Sequence, residues 1–356
     1  MNLSRLSGIV VFAMIIPSLC SALERPDKEF KIFQFPSNMI PCIDGNTEDW
    51  DIVPESFSYG TEELSDTVKG HGANYDKSDL DVNVRVGWVK GLNRLYFLYE
   101  AYDDYWNMTY SRGDIFEVVV DGDLSGGQFI NNPQLEGMDS HFRFKGVHAQ
   151  NYHIFTPPGK GRDWVFVWGC QPWISALPWS NHAYSYNFNE GEDGKLVLEF
   201  WITPFDYAPY DGPERAVVSN LVEDTIIGLS WSILDYDEDN GQYEGFWNLS
   251  HVTRMDSNAS RQCAFRLMPL DEKYHDPLEA GWSFKVVDLS DRLIYFKDQS
   301  YGEVKKWTWD FGDGTTSNEQ NPLHKYKEQG EYIVTQTVSG PAGTSRFIRV
   351  RAVAVP

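Results

Sequence analysis

The sequence predicts an all-β protein built as two β-sandwich domains. Three observations point there. Apolar residues recur with period two rather than 3.6, no stretch carries a long amphipathic helical pattern, and a polar segment interrupts the strand pattern late in the chain. In "DVNVRVGW", Val82, Val84, Val86 and Trp88 fall on one strand face, and in "RLYFLYEAY" Leu95, Phe97, Tyr99 and Ala101 do the same. "DIFEVVVDGD", "WVFVW", "KLVLEFWI" and "EDTIIGLSWSIL" are further strands bounded by turn residues. Trp164 and Trp168 share a face of "WVFVW", which assigns both to the core; Trp50, Trp88, Trp201 and Trp231 are expected there too. Glu199 in "LEFWITPF" reads as a partly exposed sheet carboxylate. The polar "PLDEKYHDPLEAG" carries two prolines and sets a linker at 271–281, between a domain at 23–270 and another at 282–356.

The chain opens "MNLSRLSGIVVFAMIIPSLCSALE". Arg5, the apolar run Ile9 to Ile16 and the small residues Cys20, Ser21 and Ala22 predict a secretory leader at 1–22, too short to cross a bilayer as a helix. Cys20 raises a lipid anchor as an alternative, but Leu19 before it is bulky where such signals take a small residue. The expected location is outside the cytoplasm: secreted, periplasmic or at the cell surface. Cys42, Cys170 and Cys263 follow the leader, an odd number that forbids a complete disulfide framework. Either Cys42 and Cys263 pair, or all three are buried thiols.

The formal net charge is −22, which excludes nucleic acid as a partner, because a phosphate backbone needs a basic footprint. It also argues against an anionic membrane surface; its plain effect is solubility. The chain holds 13 Trp, 19 Tyr and 21 Phe. An indole face covers the C–H face of a pyranose ring, so this richness points to sugar binding, while a large aromatic core accounts for several of the rings.

In the stretch "WTWDFGDGTTSNEQNPLHKY", Trp307 and Trp309 share a strand face, so at least one enters the core. Gly312 and Gly314 permit a tight turn, Asp313 tolerates turn geometry, and Pro322 marks the turn before the next strand. Tyr332, Val334, Gln336 and Val338 form one face of the strand that follows. The Trp-Asp-Phe-Gly-Asp-Gly run followed by Asn-Pro-x-His-x-Tyr resembles the PKD domain over 282–354. That resemblance implies an immunoglobulin-like sandwich acting as a spacer or protein-interaction module. It makes Asp310 and Asp313 marks of the fold rather than catalytic groups.

The larger domain starts "PCIDGNTEDWDIVP" and continues through "NRLYFLYEAYDD", "GDIFEVVVDGD", "SHFRF" and "LDYDEDNGQYEGFWN". This order resembles the family 9 carbohydrate-binding modules, β-sandwiches related to DOMON domains. The resemblance implies a non-catalytic slot holding a mono- or oligosaccharide, including a chain end, between aromatic rings. Carried onto this sequence, it makes Trp106 or Tyr110 one slot ring, Glu117 the strand carboxylate, and His141 and Arg143 the polar contacts. The family's second slot Trp has no counterpart after Trp247, so Trp173 or Trp179 is the candidate replacement.

"DGDLSGG" and "DYDEDNG" resemble the starts of calcium loops, but Asn132 and Phe246 stand where a twelfth-position Glu would close them. The plain reading is a turn with solvated carboxylates. Structural calcium is implied by the resemblance, without assigned ligands, and no organic cofactor is expected. Carboxylates such as Asp103 and Glu117 are too easily named to establish a glycosidase. No G-x-S-x-G elbow and no His/Cys zinc spacing is present. Two rival functions stand beside carbohydrate capture in polysaccharide use. One is haem binding, as in DOMON relatives, with Met138, His141, His148 and His153 as candidate ligands. The other is a cell-surface protein-interaction module with a degenerate sugar site.

Overall fold

The computed structural model describes residues 23–109, 113–126, 146–169, 171–237, 242–253 and 258–355, with side chains to residue 349. The expected leader and Cys170 lie outside the described residues. Among the described residues the regular elements are strands and short 3-10 turns, with no α-helix. No helix there is long and apolar enough to cross a membrane. The chain divides into two compact units, Met1–Pro269 and Leu270–Pro356.

In the larger unit, one sheet runs from Val165–Val167 through Gln150–Phe155, Ile115–Asp121, Ile226–Asp235 and Cys263–Leu267 to the first half of Phe30–Gln34. The other begins with the second half of that strand and continues through Leu80–Trp88, Leu95–Asp103 and Gly194–Ile202 to Ser180–Tyr186. Phe30 pairs in parallel with Phe265, and Phe33 in parallel with Gly87, so one short strand belongs to both sheets. Alternation explains the core between them. Val82, Val84, Val86 and Trp88 face inward from one strand, and Leu95, Phe97, Tyr99 and Ala101 from the next. Tyr99 stacks on Phe116 of the opposing sheet at 4.5 Å, and Trp231 is fully buried.

The Ile-Asp-Gly segment covers part of the outer face of one sheet, over Glu199 in the middle of Gly194–Ile202, and this corrects the expectation that Glu199 is partly exposed. That carboxylate is completely buried. It accepts hydrogen bonds from Trp50 Nε1 at 2.8 Å, Gly45 N at 2.7 Å and Asp44 N at 3.2 Å. The motif and its Trp are thus a lid of donors over one buried charge, which a buried carboxylate requires. Cys42 and Cys263 are free, and Cys42 is exposed, so the two do not pair and are not both buried.

The smaller unit packs a three-stranded sheet (Trp282–Asp288, Leu293–Asp298, Leu323–Lys325) and a four-stranded one (Thr316–Ser317, Lys306–Asp310, Gly330–Gly340, Gly343–Val355). Between them lie Trp282, Phe296, Trp309, Phe311, Tyr326 and Val334. The end of the expected linker is part of this unit: Leu278–Glu279 pairs with Tyr301–Gly302, and Leu278 packs with Ala280 and Val338. The acidic motif is turn chemistry. Asp310 Oδ1 accepts from Gly312 N at 2.9 Å, and Asp313 Oδ1 accepts from Thr315 N at 3.0 Å. Asp313 Oδ2 pairs with His324 Nε2 at 2.8 Å, and the His324 ring stacks on Phe311 at 4.0 Å. Gly312 sits at φ +79°, where a Cβ would lie 2.5 Å from the Ile333 carbonyl oxygen.

Candidate functional site

The strand Ile115–Asp121 turns Phe116, Val118 and Val120 into the core, which sends Ile115, Glu117 and Val119 to the outer face of its sheet. The neighbouring strand sends out Asn151, His153 and Phe155, and the edge strand sends out Phe166. Glu117 stands opposite His153, and His153 opposite Phe166, so carboxylate, imidazole and phenyl ring form one row across three strands. Asn151 Nδ2 donates to Glu117 Oε1 at 3.1 Å, and His153 Nδ1 lies 3.7 Å from the same oxygen.

This row borders a cavity of about 470 Å³ lined by Gly113, Ile115, His153, Phe155, Arg162, Asp163, Phe166, Trp168 and Tyr236, among others. That volume is within the range of small-molecule sites. Phe166 is 46% and Trp168 38% exposed, and their rings meet edge to face at 5.1 Å. His153 meets the Trp168 ring at 5.9 Å. The wall therefore combines partly exposed aromatic rings with a guanidinium, an imidazole and a carboxylate.

Several expected site residues are elsewhere. Trp106 is 1% exposed, stacks on Phe188 at 4.9 Å and donates its indole N–H to the Gly194 carbonyl at 3.0 Å. It is core, with no ring face left for a ligand. Trp173 and Trp179 pack against Phe205 at 5.2 and 5.3 Å, and neither lines this cavity. Glu117 lies on the outer face of its strand, nearly buried, next to the cavity residue His153. Tyr110, His141 and Arg143 lie outside the described residues.

Trp168 overturns its assignment to the core. Val165 and Val167 point inward, so Phe166 and Trp168 point outward. Trp164 shares their parity but precedes the strand, where it stacks on His182 at 4.5 Å and is buried. The signal was in the sequence: two valines filling the core face leave the larger rings on the other. Arg162, Asn151 and Tyr236 were also missed, because only the sheet register brings them together with His153. Of the haem-ligand candidates, His148 is exposed and bonded to the Asp206 carbonyl at 2.9 Å, while His153 lies at the cavity; Met138 and His141 lie outside the described residues.

Adjoining the cavity is an acidic cluster. Oxygens of Asp103, Asp114 and Asp235 lie within 4.8 Å of one another, as do those of Asp79, Asp104 and Asp237. The first three residues are buried, and none of the six forms an ion pair with a Lys or Arg among the described residues. Burial, reinforced by neighbouring carboxylates, raises all three pKa values of the inner group, with Asp103 reaching about 7. Asp235 is thus no solvated turn carboxylate. A set of hard oxygen atoms with no Lys or Arg ion pair among the described residues suits calcium or magnesium. At the start of the other candidate calcium loop, Asp121 Oδ2 accepts from Gly126 N at 2.7 Å and Asp123 Oδ1 from Ser125 N at 3.0 Å, and residues 127–132 of that loop lie outside the described residues.

Residues 293–355 match the PKD domain family model. Collagenase ColA of Clostridium perfringens is 51% identical over 47 residues, covering 13% of this chain and only 4% of the collagenase's own length. Among solved structures, the PKD1 domain of the Vibrio cholerae metalloprotease PrtV is similar at 28% identity, over 22% of this chain and 95% of that one, with a TM-score of 0.20. A family 9 carbohydrate-binding module of Caldicellulosiruptor kristjanssonii, solved with cellotriose, is 16% identical and covers 69% of this chain and 96% of that one, with a TM-score of 0.45.

Proposed function

We propose that the larger unit binds a carbohydrate without cleaving it, in the cavity walled by Trp168 and Phe166. The observation that carries this reading is the pairing of two exposed rings with polar groups in one concavity of about 470 Å³. A pyranose is amphipathic in just this way, with C–H faces and a belt of hydroxyls. An aromatic face covers the former, while Arg162 and Asp163 supply charge-assisted hydrogen bonds, and His153 a further one, to the latter. The PKD unit acts as a spacer or interaction module, and the whole is a secreted capture or targeting accessory in polysaccharide use. A structural divalent cation, calcium by preference, belongs to the same reading, held by Asp103, Asp114 and Asp235.

The test is a screen of mono- and oligosaccharides by calorimetry and tryptophan fluorescence, with product analysis of the same mixtures. Binding without new reducing ends is expected. Absence of binding to every sugar in calcium-containing buffer, or turnover of any of them, overturns the reading.

A further inference from the structure

We propose that a divalent cation in the aspartate cluster sets the shape of the cavity, so that ligand binding at Trp168 depends on the cation. The inference rests on the carbohydrate reading only for the identity of the ligand. Its basis is alternation along two extended segments. Asp114 belongs to the cluster, and its neighbours Gly113 and Ile115 line the cavity. Asp235 and Asp237 belong to the cluster, and Tyr236 between them lines the cavity. Successive side chains of an extended chain point to opposite sides, so each segment has one side on the cation site and the other on the ligand site.

Asp114 fastens these segments together. Its Oδ1 accepts from Tyr236 N at 2.9 Å and its Oδ2 from Asn107 N at 2.6 Å. Its backbone carbonyl accepts from Thr156 N at 3.0 Å, next to the cavity residue Phe155. A shift of this one residue therefore moves three parts of the wall.

The cluster also asks for a ligand. Both carboxylate oxygens of Asp235, which is 2% exposed, and Oδ2 of Asp103, which is 1% exposed, are buried without a hydrogen-bond partner among the described residues. Leaving such groups unpaired is costly, and carboxylates at this separation repel one another. A divalent cation converts the repulsion into shared coordination and holds residues 113–115 and 235–237 at one spacing. Without it, the aspartates separate and carry Tyr236 and Ile115 with them. Binding is then coupled in both directions, typically by roughly 5–150-fold in affinity.

The experiment uses the full chain stripped with EGTA and returned to calcium or magnesium. Cation binding is read by terbium luminescence and its displacement, and the cavity by the fluorescence difference between wild type and Trp168→Phe. The sugar found in the screen is titrated in both states. We expect a cation-dependent shift of the Trp168 signal, a sugar affinity about tenfold or more weaker in EGTA, and loss of both effects in Asp235→Asn. A cation that binds without moving the Trp168 signal or the affinity overturns the coupling and leaves the carbohydrate reading intact. Absence of terbium or calcium binding overturns it as well. A Trp168 signal that follows the cation while no sugar binds supports the coupling and sinks the carbohydrate reading. Should Asp235→Asn fail to fold, the EGTA and calcium arms on wild type decide alone.

Discussion

Trp168→Ala gives the sharpest test of where the ligand sits. The side chain is 38% exposed. A Trp presents up to about 250 Å² in all, so about 90 Å² of ring surface is available for a ligand to cover. At about 25 cal/mol per Å², covering it contributes about 2 kcal/mol, which is roughly a thirtyfold change in Kd. The expected result is therefore a tenfold to thirtyfold weaker titration by calorimetry (roughly). Folding should be nearly untouched, because the ring is partly exposed and meets Phe166 and His153 edge to face on the outer side of the sheet. Trp106→Phe is the contrasting variant: it trims a buried ring and should lower stability while leaving affinity unchanged. If Trp168→Ala binds within about twofold of wild type and Trp106→Phe loses affinity, the site has been placed on the wrong side of the sheet.

Three further outcomes follow from the packing. Glu199→Ala strands the donors of Trp50, Gly45 and Asp44, and at about 1–3 kcal/mol for each buried unsatisfied group it should cost at least about 3 kcal/mol in urea unfolding. A loss under about 1 kcal/mol would show that the lid is not held by this charge. Gly312→Ala places a methyl 2.5 Å from a carbonyl oxygen at a positive φ and should destabilise the PKD unit by about 1–3 kcal/mol, read as a lower Tm. Burial of Asp313 is outweighed by hydrogen bonds from Thr315 and His324, and its pKa is lowered. A carboxylate lowered on folding stabilises above its unfolded pKa, and that stability is lost as pH falls through the folded value. Asp313→Asn should therefore flatten the acid limb of the unfolding curve below about pH 4, and an unchanged limb would refute the pairing.

The fold was legible where side chains obey a local rule. Period-two alternation located strands such as Leu80–Trp88, Leu95–Asp103 and Gly330–Gly340, and in the Trp-Asp-Phe-Gly-Asp-Gly run Asp310 and Asp313 each accept from a backbone N–H two residues on, while His324 takes the second oxygen of Asp313. The site was less legible because it is assembled by register. Glu117, His153 and Phe166 are neighbours only across three strands, and nothing in their spacing along the chain says so. Trp106 was misassigned because it lies in the right order of motifs, yet burial against Phe188 decides its role. The aspartate cluster was half visible. "DYDEDNG" showed its acidity, but the convergence of Asp103 and Asp114 on Asp235 needed the fold.

The strand that serves both sheets has a consequence for how the polypeptide reaches its final form. Phe30 finds its partner at Phe265, almost at the far end of the unit, so the sheet that contains Cys263–Leu267 cannot be finished while the chain is still emerging. Assembly has to wait for the last segment, which makes folding slow by contact order and leaves ribbons open meanwhile. A product cut just ahead of Cys263 would keep both Phe30–Ile32 and Ile226–Leu229 bare along one side, two templates inviting strand exchange between molecules.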